Sequence, residues 1–185
     1  MKNTMKYIAG STMAIIALVS IAATNHVESN EEEARIDDLE IAHIAYTAGN
    51  IDIRYAHLAL AISEDPDVRN FAETMLRDHP KVNELALELL GKLKATPKDN
   101  ATSQQLLSNA ADIRKELMGL EGAAFDKRYA ENELAYHQFV NKAVETQFIP
   151  SVQNQEFKAL LGQALDIFKV HEGHAEMLNK KLSNK

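Results

Sequence analysis

Three histidines occupy positions where the surrounding pattern requires core residues. His79 and His171 each lie within an apolar stripe of three- and four-residue steps, and His137 shares a helical row with Glu133. A buried polar group without a partner costs about 1–3 kcal/mol, so the set needs an explanation. One explanation is a hydrogen-bond network with acidic and phenolic side chains, which requires no cofactor and is the simpler one for any single histidine. The other is a divalent transition metal held by imidazoles and carboxylates.

Each explanation has its own set of candidate residues. The candidate metal ligands are the inward histidines and the acidic or imidazole groups beside them, namely Asp52, His79, Glu133, His137, His171 and His174. The candidate members of a buried polar network are Asp78, His79, Asp126, Tyr129 and His137. Asp52 belongs to the metal set because the first predicted helix places it near the level of the histidines, one residue away from the apolar stripe.

Four long amphipathic helices and one shorter helix must position these side chains. In the long segments, apolar residues recur at steps of three and four, as on one face of an α-helix. The first stripe contains Ile41, Ile44, Ala48, Ile51, Tyr55, Leu58 and Ile62. Glycine and proline number only 7 and 4, which disfavours a strand-rich fold with many turns. The sequence predicts an all-α four-helix bundle with a short additional helix in the connection between the second and third long helices.

Two prolines mark the second long helix. Asp65 followed by Pro66 predicts its start, because aspartate caps helix N-termini and proline fits the first turn. Pro80 lies inside the same helix, where a proline removes one backbone donor and clashes with the preceding turn. A kink is therefore expected at Pro80, or a restart of the helix with Asp78 as its cap.

Two bundle topologies are compatible with these helices. In one, the long helices run alternately up and down, and in the other the segment 94–122 crosses the length of the bundle. With a rise of about 1.5 Å per residue, the histidines agree in height no better than about one turn in either topology. Both topologies nevertheless place His79, His137 and His171 in the middle of one core.

The N-terminal residues have the order of a secretory leader. A basic start precedes an apolar run from Ile8 to Val19, and small residues follow up to Ala23. The run is shorter than the roughly 20 residues of a membrane-spanning helix, so no transmembrane segment is expected after cleavage. The predicted divisions are a signal peptide at 1–23, a flexible acidic lead-in at 24–35 and the helical domain at 36–183. Because the chain has no cysteine, export as a lipoprotein is excluded.

The charge of the chain limits its partners. Of 20 basic residues, Lys2 and Lys6 lie in the leader, so the mature chain has 18 basic and 27 acidic residues, or −9. Such a surface repels phosphate backbones, so no nucleic-acid partner is expected. The remaining partner classes are a periplasmic protein or a second copy of the chain.

Enzyme motifs are scarce. A di-iron bundle uses two Glu-x-x-His motifs together with further glutamates, whereas this chain has one such motif, Glu40 to His43, near the start of the first helix. The chain also has no Gly-x-Ser-x-Gly elbow, phosphate-binding glycine loop or His-Glu-x-x-His motif. Ferroxidase and oxygenase chemistry are therefore disfavoured.

Three stretches of the chain resemble a known family. They are Phe71–His79, with its terminal Asp-His pair, Leu117–Tyr129 with His137 eight residues later, and His174 with its amphipathic tail. Together they resemble the exported bacterial family called domain of unknown function 4142, over about residues 38–182. The resemblance implies a ferritin-like bundle and a periplasmic location, including association with the outer membrane.

The last helix departs from the family pattern. The chain has Phe168-Lys169 where the family often has Leu-Pro, which leaves the choice between His171 and His174 open. The sequence predicts an exported, non-enzymatic bundle that binds a partner or protects the cell envelope under stress. The alternative is a metal-binding protein with a histidine–carboxylate site inside the bundle, and a ferritin-like redox enzyme comes third.

Overall fold

The chain folds as a bundle of helices in the computed structural model, which describes residues 36–184. The elements are α1 (Asp38–Ile62), α2 (Pro66–Leu93), α3 (Ala101–Leu117), α4 (Gly122–Ala143), a π-helical turn (Val144–Phe148), α5 (Ile149–Ser151) and α6 (Gln155–Ser183). No strand occurs within this described part of the chain, so the predicted all-α class is confirmed. The predicted signal peptide at 1–23 and the acidic lead-in at 24–35 lie outside the described residues.

Polar contacts between helix ends define the topology. The Asp38 carboxylate accepts hydrogen bonds from the backbone N–H groups of Gln153 and Asn154, so α1 and α6 begin at the same end. Lys181 lies 2.6 Å from Asp67, which places the end of α6 beside the start of α2. Helices α1 and α6 therefore run in one direction, and α2 runs in the other.

Helix α3 is the long crossing connection of the bundle. Its start lies beside the start of α1, where His43 Nδ1 is 2.8 Å from Ser103 Oγ. Its last residue, Leu117, packs in the same apolar cluster as Ala59, near the end of α1. The chain therefore returns along α1 before α4 begins, so α4 runs parallel to α2. This is the crossing topology, with one long connection as in ferritin-like bundles.

The apolar core is divided into two clusters by a polar layer. The cluster at the α1–α2 turn includes Tyr55, Met75 and Tyr129, while the cluster at the opposite end includes Ile41, Val144 and Leu161. The buried side chains between them are polar and include His79, Glu133, His137, Asn141 and His171. Each long helix thus changes from apolar to polar and back to apolar along its inward face.

Helix α2 continues through Pro80, so the restart expected there is wrong. The helix is continuous from Pro66 to Leu93, and Asp78 bonds to Arg77 and His171 rather than capping a new helix. Pro80 is on the exposed face of the helix, where solvent can hydrate the carbonyl group that loses its donor.

A close approach of α1 and α2 depends on Gly49. A Cβ atom at this position would lie 2.5 Å from Oδ1 of the buried Asn83. The helix propensity of alanine, which is about 1 kcal/mol better than that of glycine, acts in the opposite direction. Because overpacking typically costs about 1–3 kcal/mol, we expect Gly49→Ala to lower the free energy of unfolding by a net of about 1 kcal/mol in urea denaturation. Gly162→Ala is the matched control in α6, where a Cβ meets nothing within 4 Å. The free energy of unfolding of that variant should rise by about 0.5–1 kcal/mol. An equal rise at both positions would show that Asn83 moves aside freely.

Candidate metal centre

Three helices bring their histidines together in the polar layer. His79 lies on α2, His137 on α4 and His171 on α6, and each is at most 4% exposed. One ligating nitrogen from each ring lies within 4.8 Å of the other two. The ring centroids are 5.3 to 5.9 Å apart, so the imidazoles contact one another directly. The convergence expected from sequence is therefore present.

The fourth long helix contributes a carboxylate. Asp52 on α1 is fully buried, and its Oδ2 lies 3.3 Å from Nε2 of His79 and 3.3 Å from Nε2 of His137. These contacts are close, but neither has hydrogen-bond geometry, and both carboxylate oxygens of Asp52 are buried without a hydrogen-bond partner. All four long helices therefore contribute one polar side chain to this cluster.

A second carboxyl group comes from α4. Glu133 precedes His137 by one turn, is fully buried, and has no hydrogen-bond partner at either carboxyl oxygen. One oxygen of Glu133, one of Asp52 and one nitrogen of His137 lie within 4.8 Å of one another. Burial raises the pKa of Glu133 well above its usual value, and the charge of Asp52 raises it further.

Burial disfavours the charged form of two of the three imidazoles. Burial lowers the pKa of His79, and it lowers the pKa of His171 to about 4. His137 Nδ1 lies 2.9 Å from the Glu133 backbone carbonyl oxygen, which can only accept, so Nδ1 has a proton, while Nε2 is buried without a hydrogen-bond partner. His171 Nε2 lies 3.1 Å from Asp78 Oδ2, and its Nδ1 is buried without a partner.

Aromatic rings close the site against water. Phe168 stacks on His79 at 4.7 Å between centroids and 8° between planes, and Phe71 meets His137 edge-on. Tyr129 is fully buried with an unpartnered hydroxyl, and burial, followed by the charge of Glu133, raises its pKa. Charges within this dry layer interact more strongly than they would in water.

The structure brings together five of the six residues selected as metal ligands. They are Asp52, His79, Glu133, His137 and His171. His174 is exposed on α6, which resolves the open choice in favour of His171. Of the network candidates, Asp78 bonds to His171, whereas Asp126 accepts a hydrogen bond from Ser63 and Tyr129 has no partner. The proposed network residues do not form one continuous chain of hydrogen bonds.

Asn141 belongs to the same layer and was missed from sequence. It lies one turn after His137, and its side-chain Nδ2 donates to Glu172 Oε2 at 2.7 Å. Its side-chain Oδ1 is buried without a hydrogen-bond partner. Its spacing of four residues from His137 repeats the spacing between Glu133 and His137 and is the signal that could have identified it.

Two of the observed contacts fit coordination of a small transition metal ion. Metal–ligand bonds of about 2.0–2.1 Å in a tetrahedron separate neighbouring ligand atoms by about 3.3 Å. Asp52 lies at 3.3 Å from nitrogens of both His79 and His137. The bond lengths of calcium, about 2.3–2.6 Å, and its requirement for six to eight oxygen ligands fit these residues poorly.

The fold and the site together define the class of protein, which is an all-α bundle with a buried histidine–carboxylate cluster at its centre. The sequence model described as Domain of unknown function (DUF4142) matches residues 23–178, so the chain belongs to this family, as the resemblance predicted. No curated protein and no solved structure matches the chain. Among the helices within residues 36–184, none combines the length and apolar character needed to cross a membrane.

Proposed function

We propose that this protein is an exported metal-binding bundle that holds one divalent transition metal ion in its core. His79, His137, His171 and Asp52 are the primary ligands, and Glu133 is an additional ligand. This proposal takes the histidine–carboxylate alternative from the sequence analysis and gives it a ligand set drawn from all four long helices.

The observation that carries the proposal is the concentration of unsatisfied polar atoms in one place. Folded proteins leave few buried polar atoms without a hydrogen bond. Among the described residues, thirteen buried side-chain nitrogen and oxygen atoms lack one, and eight of them belong to the five proposed ligands. A bound cation would coordinate lone pairs that are otherwise uncompensated.

Two considerations support a single ion. The triad of His79, His137 and His171 and the triad of Asp52, Glu133 and His137 share His137. Because Nδ1 of His137 donates to a backbone carbonyl, only its Nε2 is left for a metal, and one nitrogen binds one ion, so a single ion is proposed at this shared imidazole. The charge balances as well, since two carboxylates neutralise one divalent cation in a layer where excess charge is costly.

The ligand types and their burial indicate the metal and its use. Imidazole nitrogens favour zinc, iron, copper and nickel over magnesium and calcium, and carboxylates add manganese. Catalytic metal sites keep a position open for substrate, whereas the three histidines and both carboxyl residues here are at most 4% exposed. Storage, delivery or structural stabilisation is therefore the proposed role, and the leader pattern supports the periplasm as its location.

Elemental analysis of the untagged mature protein, residues 24–185, purified from the periplasm without chelator, tests this function. We expect about one equivalent of zinc, iron, copper or manganese per chain, because the site has one set of ligands. The double variant His79→Ala/His137→Ala should contain none. His174→Ala removes an exposed imidazole from α6 and should keep the full equivalent.

Wild-type protein that contains no metal, and takes up none from solution, would overturn the proposal. Partner binding would then be the remaining hypothesis. The first surface to examine would be the exposed apolar positions of α6, Ile167, Val170 and Met177, which are 39%, 55% and 62% exposed.

A further inference from the structure

Resting on the proposed metal site, we infer that Asp78 is a positioning residue that determines which nitrogen of His171 faces the ion. Asp78 follows Arg77 and precedes His79 on α2, whereas His171 lies on the neighbouring helix α6. Asp78 is outside the ligand set and acts through His171.

The contact between Asp78 and His171 fixes the position of a proton. Oδ2 of Asp78 lies 3.1 Å from Nε2 of His171. An ionised carboxylate can only accept, so the proton of the neutral ring is on Nε2 and Nδ1 retains its lone pair. Nδ1 is the buried, unpartnered nitrogen of this ring. The arrangement corresponds to a carboxylate–histidine–metal triad, in which the outer carboxylate orients the ring and increases its basicity.

Arg77 holds the carboxylate in place. Its Nε and Nη2 donate to the two oxygens of Asp78 at 2.8 and 2.7 Å, which is a bidentate pair. The paired geometry restrains the carboxylate plane, and the guanidinium charge favours the ionised acceptor form. Arg77 is exposed and Asp78 partly buried, so the array runs from solvent to the ligand cluster.

The other two histidines of the cluster have no side-chain partner that sets their tautomer. His137 donates to a backbone carbonyl, which no side-chain substitution removes, and His79 has no hydrogen-bond partner at either nitrogen. Among the described residues, Asp78 is thus the one side chain that sets the tautomer of a proposed ligand. The adjacent Asp78 and His79 have complementary roles, because one orients a ligand on α6 while the other is itself a ligand.

The variant Asp78→Asn tests this role through zinc affinity, measured by competition with a chromophoric chelator. Asparagine loses the charge and can present its NH₂ group to Nε2, which would move the proton of His171 to Nδ1 and block the metal. We expect zinc to bind about 10- to 100-fold more weakly than to the wild type. The matched control is Asp67→Asn, which removes the ion pair to Lys181 between the same two helices and should leave zinc affinity within about twofold of wild type.

Two further readouts separate positioning from stability. Nitrogen chemical shifts of His171 in metal-free wild-type protein should show protonated Nε2 and bare Nδ1, and the reverse tautomer would overturn the inference without any substitution. The visible spectrum of the cobalt(II) form should change in Asp78→Asn and be largely restored in Asp78→Glu. If wild type binds zinc and Asp78→Asn binds it equally well, this inference fails while the metal site stands. If wild type binds neither zinc nor iron, copper or manganese, the proposed function itself fails.

Discussion

Asp52→Asn is expected to stabilise the metal-free protein and to abolish its metal binding. The carboxylate of Asp52 is fully buried, and neither oxygen has a hydrogen bond. A buried polar group without a hydrogen-bond partner costs about 1–3 kcal/mol, and more when it is charged, so a neutral amide of similar shape lowers this cost. The new NH₂ group lies within reach of Nε2 of His79 and Nε2 of His137, which are 3.3 Å from Oδ2, and can donate to whichever of them has a lone pair. Urea denaturation in the presence of chelator should show that the free energy of unfolding rises by about 1–2 kcal/mol.

The sign of this change separates the two explanations of the buried histidines. If Asp52 were the acceptor of a satisfied network, its replacement would cost about 1–3 kcal/mol, as for any broken buried hydrogen bond. Asp126→Asn provides the matched control, because Asp126 is also a buried aspartate but accepts a hydrogen bond from Ser63. That variant exchanges a carboxylate acceptor for a weaker amide acceptor and should lose stability. A loss of similar size at both aspartates would favour the network over the metal.

The helices were predictable because their signals are local. Steps of three and four identify an apolar face within a few turns, and Asp65 with Pro66 identifies the start of α2, where the Asp65 carboxylate accepts from the N–H of Asp67. Pro80 shows where local signals are insufficient. A proline inside a helix loses one backbone hydrogen bond, yet packing of α2 against α1 and α6 maintains the helix across Pro80.

Helix lengths and spacing could not choose the crossing topology, although the family resemblance implied a ferritin-like bundle. Local patterns give the heights of His79, His137 and His171 only to about one turn, and both topologies satisfied that tolerance. The deciding contacts join residues far apart in the chain, such as Asp38 with Asn154 and Lys181 with Asp67. Such pairings depend on how the helix ends meet, which no single helix specifies.

The site was predictable as a set but not in its electrostatics. Heptad spacing placed His171 on the apolar stripe, and the structure buries it while His174, three residues later, is exposed. Helical periodicity does not reveal that Asp52 and Glu133 approach the same imidazole ring, Asp52 at Nε2 and Glu133 at Nδ1 of His137. The raised pKa of Glu133 arises from burial and from Asp52 on another helix, so it is a property of the assembled core.

Saturating the metal-free protein with zinc is expected to raise its melting temperature by about 10 °C. The proposed ligands lie between residues 52 and 171 and meet only in the folded bundle, so the unfolded chain offers no comparable site. At a free zinc concentration of about 1,000 times Kd, binding adds about 4 kcal/mol to the free energy of unfolding. For a domain of this size, each kcal/mol shifts the melting temperature by about 2–4 °C. Differential scanning calorimetry before and after chelator treatment measures the shift.

Non-specific cation binding must be separated from this effect, because the chain has a net charge of −7, from 20 basic and 27 acidic residues. Magnesium at the same concentration is the first control, since it binds an acidic surface but prefers oxygen ligands to imidazole. The double variant His79→Ala/His137→Ala is the second control, because it removes two ligands and leaves the surface charge intact. Zinc should raise the melting temperature of the wild type alone. An equal rise in the double variant would assign the stabilisation to surface carboxylates and leave the buried histidines without a metal.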